Sequence, residues 1–101
     1  MATSLIGDSF AVGTKNVTTA GTALQLETST ERRVRSVQLQ AHDDNTGRIY
    51  FGGSDVASTT QRGLAPGESK TITADKPFSL DEIYIDCSVN GEGVDFEATL
   101  A

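Results

Sequence analysis

Apolar and polar residues alternate with a period of two along most of this chain, the pattern of strands buried on one face. Val37, Leu39 and Ala41 share one parity of the run Val34–Ala41, and Gln38 and Gln40 share the other. Ile83, Ile85 and Cys87 alternate with Tyr84 and Asp86 in Glu82–Val89, and Val94, Phe96, Ala98 and Leu100 alternate with charged or polar residues at the C-terminus. Shorter runs of the same kind are Ser9–Val17, with Phe10 and Val12 on one parity, Thr22–Leu26, with Leu24 and Leu26, Ile49–Phe51, and the Thr-rich Ser69–Thr73 around Ile72. No segment sustains a helical period.

The breaks between these runs carry turn chemistry. His42–Gly47 is rich in Asp and Asn, which bond to their own backbone and tolerate left-handed conformations. It predicts a hairpin joining Val34–Ala41 to Ile49–Phe51. Gly52-Gly53 ends the return strand, Pro66-Gly67 suits a type II turn, and Ala74–Pro77 reads as a further turn. Asn90-Gly91 is a strong two-residue hairpin signal and predicts a C-terminal hairpin of the last two runs. The fold class predicted is all-β, a small antiparallel β-sandwich or barrel of about seven to eight strands. Residues 1–8 read as a flexible N-terminal arm and 9–101 as a single β-sandwich domain.

A length of 101 residues leaves room for one domain, and 37% apolar residues with no Trp predict a modest core. Help from oligomerisation or from docking on a larger surface is therefore expected. A net charge of −6 argues against nucleic acid as a partner. No apolar run reaches the length of a membrane span, and the start lacks the pattern of a secretory signal. The expectation is a protein made in a cytoplasm, with no membrane partner. The single cysteine, Cys87, excludes a disulfide within the chain and shares its parity with Ile83, Ile85 and Val89, so it reads as a buried apolar residue.

Candidate chemistry is sparse. His42-Asp43-Asp44 contains metal-ligand types, but adjacent turn positions seldom converge on one ion. Asp81, Glu82, Asp86, Glu92, Asp95 and Glu97 predict an acidic C-terminal hairpin, with Glu82, Asp86, Asp95 and Glu97 facing outward; nothing selects a catalytic pair or a calcium spacing from them. No catalytic residue, metal or cofactor is expected. The basic stretch holding Arg32, Arg33 and Arg35 reads as a protected strand edge or as a docking patch for an acidic partner. Tyr50 and Tyr84 lie opposite the aliphatic parity and read either as an exposed binding platform or as the cap of a second apolar layer. The arm reads either as a disordered terminus or as a segment that orders on a neighbouring subunit, in which case Leu5 and Ile6 would be its apolar anchors.

The ordered set Val37–Ala41, Asn45–Val56, Leu64–Ser69 and Leu80–Asp86, closed by Gly91–Phe96, resembles small structural proteins of tailed-bacteriophage virions. The likeness covers about the last two-thirds of the chain and rests on order and spacing. It implies a non-enzymatic head decoration, or cement, protein that binds the major capsid protein, stabilises the assembled capsid and forms trimers, located in the virion after synthesis in the bacterial host. A tail, baseplate or fibre-base component is the alternative within that class. A carbohydrate-binding β-sandwich is the alternative outside it, disfavoured by the absence of Trp.

Overall fold

Among the described residues seven strands, β1 (Phe10–Asn16), β2 (Leu24–Gln25), β3 (Arg33–Ala41), β4 (Ile49–Gly52), β5 (Ser69–Ser79), β6 (Tyr84–Cys87) and β7 (Gly93–Leu100), form two sheets. The computed structural model describes residues 10–28, 33–57, 59 and 61–100. One sheet has four strands in the order β1-β7-β3-β5 and the other has three in the order β2-β6-β4. Every pairing is antiparallel. The all-β class predicted from the alternation is what the chain adopts. The arm expected over 1–8, with Leu5 and Ile6, lies outside the described residues, as does Arg32.

The core is the set of inward parities. Val34, Val37, Leu39 and Ala41 of β3 meet Val94, Phe96 and Ala98 of β7 on the first sheet, and Ile49, Ile85 and Cys87 come from the second. Leu39, Ile49, Val34, Val94 and Ile85 are wholly buried. Leu80, in a short 3-10 turn over Leu80–Glu82, is as well. Burying an aliphatic side chain of this size contributes about 1.5–3 kcal/mol before conformational entropy is subtracted. Burial pushes the Cys87 thiol above its ordinary value, with the neighbouring Asp86 adding to the effect. The thiol sits 3.7 Å from the Val17 carbonyl oxygen. It is a core residue, as its parity indicates, whereas Val89 is 40% exposed in the turn beyond it.

Both predicted hairpins are replaced by arches that cross the sandwich. β3 and β4 belong to different sheets, and so do β6 and β7. The reason is the core itself. Each run has its apolar face turned to the same interior, so the connecting segment carries the chain from one layer to the other. The second arch uses Asn90-Gly91 as a turn, with Gly91 at φ +84°. The Gly91 N–H donates to the Val17 carbonyl at 2.7 Å, not across a two-strand ladder. Asn90 accepts from the Ala20 N–H at 2.7 Å through its side chain.

Three polar groups lock the arches. Glu92 accepts from the Thr46 N–H at 2.6 Å, the Thr46 hydroxyl at 2.9 Å and the Gly47 N–H at 2.9 Å, tying the second arch to the first. Asn45, buried, donates to the Gly93 carbonyl at 3.0 Å. Asp86 is buried too, against the outward position its parity predicts. It does face away from the core, opposite Tyr50 on β4, but the segment after β1 folds over it. Its carboxyl oxygen accepts from the Gly21 N–H at 2.9 Å and the Cys87 N–H at 2.8 Å. Asp86→Ala leaves both donors unpaired and should cost about 3 kcal/mol, read as a lowered midpoint in urea unfolding with an unchanged slope.

The same covering decides between the two readings of Tyr50 in favour of the apolar cap. It is only 7% exposed. The loop between β4 and β5 lies over it, so close that a side chain on Gly63 would meet the Tyr50 ring at 2.6 Å. Tyr50 therefore belongs to a second, smaller apolar layer outside the three-stranded sheet and offers no binding platform. Tyr84, on the same side of that sheet, is half-buried.

Candidate interaction face

The two sheets differ in what covers their outer faces. Loops of the chain itself cover the outer side of β2-β6-β4: Gly21 over Asp86, and Gly63 over Tyr50. The outer edge of β4 is covered as well. Gln61 uses its side-chain amide as a substitute strand, accepting from the Phe51 N–H at 3.0 Å and donating to the Phe51 carbonyl at 2.6 Å. Leu64 completes the edge with paired backbone bonds to Ile49 at 3.0 and 2.7 Å. The outer face of β1-β7-β3-β5 has no such cover among the described residues.

The registers fix what that open face displays. One row across it is Thr14, Asp95, Gln40 and Ser69; the next is Val12, Glu97, Gln38 and Thr71; the third is Phe10, Thr99, Ser36 and Thr73. Surface hollows of about 260–400 Å³ lie on this face. Phe10 is 51% and Val12 72% exposed, side by side on the edge strand β1.

Their outward position follows from packing under β1. Phe96 of β7 leans beneath that strand, and a side chain on Gly13 would meet its ring at 2.6 Å. Only small residues fit there, so Ala11 and Gly13 take the inward parity and the bulkier Phe10 and Val12 are turned to solvent. Burying such side chains against a partner would gain about 1.5–3 kcal/mol each. The opposite edge, β5, is guarded by Lys70, Lys76 and Pro77, which suit an unpaired edge. On β1 the one cation is Lys15.

At one end of the face, His42, Asp43, Asp44, Asp95, Gln40 and Ala41 line a hollow of about 400 Å³. Asp95 accepts from the Thr14 hydroxyl at 2.7 Å and lies 2.9 Å from His42 Nε2. Those two hydrogen bonds, Thr14 first, hold its carboxyl below the ordinary value. Among the described residues no three His, Cys, Asp or Glu side chains converge as a metal site would need. The His42-Asp43-Asp44 turn sends its histidine to Asp95 and leaves both aspartates exposed. The expected acidic hairpin is dispersed: Asp81 and Glu82 sit in the 3-10 turn, Asp86 is covered, Glu92 clamps the first arch, and Asp95 and Glu97 face out on β7.

At the other end stand Arg33 and Arg35, the two described members of the basic stretch. Arg33 donates to the Pro77 carbonyl at 2.7 Å. Arg35 lines a hollow of about 390 Å³ with Ser36, Thr73, Ala74, Asp75, Pro77 and Thr99. Of the residues picked out from the sequence, Arg35 is thus on the open face, Arg33 is at its end, and Tyr50 and Tyr84 are on the other sheet. Phe10 and Val12 were missed as surface candidates. The pair Ala11 and Gly13, two small residues on the alternate parity, was the signal that could have found them.

The arches give the acid response a definite sign. Burial raises the Glu92 pKa, but the bonds from Thr46 and Gly47 outweigh it and leave it below its ordinary 4.5. Asp95 is likewise below its ordinary 3.8. A carboxylate with a depressed folded pKa contributes stability above its unfolded pKa and loses it as pH falls through the folded value. Thermal midpoints should therefore stay level from neutrality down to about pH 4.5 and fall below it. Glu92→Gln should lower the midpoint at neutral pH and flatten that fall; parallel curves for the two proteins would show that the clamp contributes nothing.

Comparison with protein-family models, curated proteins and solved structures gives no match to this chain.

Proposed function

We propose that this chain is a non-enzymatic adhesion protein that docks on another protein through the outer face of β1-β7-β3-β5. The observation that carries this reading is the asymmetry of the sandwich. One outer face is covered by the chain's own loops, while the other displays Phe10 and Val12 beside a row-ordered polar surface. Alternation of exposed apolar side chains with hydroxyl and amide groups is the mixed surface typical of a protein interface. The small core adds a reason for a partner, since docking stabilises whatever it binds in the folded state.

The resemblance to phage virion proteins supplies the kind of surface. On that reading the chain is a head decoration protein, its partner is the major capsid protein, and its place is the virion. Repetition over a symmetric shell turns modest single contacts into lasting attachment. The test is to add the purified protein to expanded, undecorated heads built from the shell protein of the same virion. Saturation at a fixed ratio of copies to shell subunits is the expected result. Binding to tails but not to heads would replace the head assignment, and binding to neither would remove the virion reading.

A further inference from the structure

We propose that the hollow around Arg35 is a recognition site for a carboxylate, supplied by an acidic segment of the protein on which the sheet docks. This deepens the adhesion reading and rests on it for the identity of the partner, but the site itself comes from a local irregularity of the sheet. Val34 pairs with Leu100 on β7 and Ser36 with the adjacent Thr99, so Arg35 is an extra residue on β3. On the other side Val34 pairs with Phe78 and Ser36 with Thr73, so Ala74–Pro77 leave the ladder opposite Arg35. A bulge of this kind re-aims side chains. Here it turns Arg35 and Ser36 to the same outer face, since Val34 and Val37 on either side are both buried.

What gathers there is suited to an oxyanion. The Ser36, Thr73 and Thr99 hydroxyls come from three neighbouring strands in one row, and all three line the hollow with Arg35. The Arg35 side chain has no hydrogen-bond or ion-pair partner among the described residues. Its planar fork of donors matches a carboxylate two bonds at a time. Arg33 holds the excursion by its bond to the Pro77 carbonyl, and Lys76 projects from the same excursion into solvent. In the lining itself Arg35 stands with one acid, Asp75, and Arg33 and Lys76 flank the hollow. The chain as a whole carries a net charge of −6. A short acidic segment can place its carboxylates at these cations alone, whereas a long polyanion would also meet the rest of the molecule, which would repel it.

The experiment titrates the isotope-labelled full chain with a tetraglutamate peptide at low salt, following backbone amide shifts, with inorganic phosphate as the second arm. The expected result is saturable shifts at Ser36, Thr73 and Thr99 with a dissociation constant on the order of 1 mM. Arg35→Gln should weaken binding more than tenfold, and Arg35→Lys, which keeps the charge but loses the fork, should restore part of it. Asp75→Asn should tighten binding about threefold by removing the opposing charge. Arg48→Gln, at the ion pair with Glu68, should change nothing. Shifts that do not saturate, that centre on Arg48 or Arg62, or that survive Arg35→Gln would overturn the site. Phosphate binding tenfold more tightly than the peptide would overturn its assignment to carboxylates. Peptide binding at Arg35 without any head binding would sink the virion docking alone; head binding without peptide binding would sink this site alone.

Discussion

Gly93→Ala should lower the thermal midpoint by roughly 15 °C, from a destabilisation of about 3 kcal/mol. Gly93 begins β7, where β1, β3 and the first arch converge. A side chain at this position would run into the Lys15 carbonyl oxygen and would meet the Asn16 Cα at 2.7 Å. Both obstacles are backbone of the paired strand, so no rotamer relieves them. The strain spreads because the Gly93 carbonyl also accepts from the Asn45 side chain at 3.0 Å and from the His42 N–H at 3.2 Å. Moving β7 away from β1 therefore disturbs the first arch as well. Gly91→Ala makes a useful comparison. It has open space around it and suffers only from φ +84°, so its cost should be about 1 kcal/mol. Circular dichroism melts of the two variants would separate steric exclusion from backbone strain; equal midpoints would contradict the packing described for Gly93.

The second large effect concerns adhesion. Phe10→Ser combined with Val12→Ser should weaken attachment to the partner surface about 1,000-fold, while stability changes by less than about 1 kcal/mol. Both side chains are exposed in the free protein, so their removal costs the fold little. In a docked state they would be the largest apolar groups on the open face. Losing two such burials, at about 2 kcal/mol each, gives the stated factor. Arg62→Ser, in the loop between β4 and β5, is the control and should bind as the unmodified protein does. Equal affinity of the double variant and the unmodified chain would mean that some other surface makes the contact.

The strands were legible because their cause is local. Leu39 flanked by Gln38 and Gln40, or Ile85 flanked by Tyr84 and Asp86, can satisfy one buried face only as extended chain. Sheet membership was not legible, since it depends on which runs share an interior. His42–Gly47 and Asn90-Gly91 have the composition of hairpin turns, yet each crosses between layers. A local turn signal says that the chain reverses, not which sheet it reaches. The burial of Asp86 was missed, and the two readings of Tyr50 stayed open, for a related reason. Their parity put them on the outer side of a sheet, correctly, but segments distant in sequence cover that side.

The open face was legible only in part. Arg35 was picked out for its charge. The bulge that presents it could have been read from the three-residue spacing of Val34 and Val37, which breaks the period of two. Phe10 and Val12 looked like core because they are apolar. Their exposure is imposed by the ring of Phe96, more than eighty positions away along the chain.

The most direct measurement is an electron-microscopy reconstruction of the intact particle, at a resolution that traces strands in the bound protein. The account predicts the β1-β7-β3-β5 sheet turned toward the shell, with Phe10 and Val12 at the contact. Density showing the β2-β6-β4 side against the shell, or no density for this protein on the head, would contradict it.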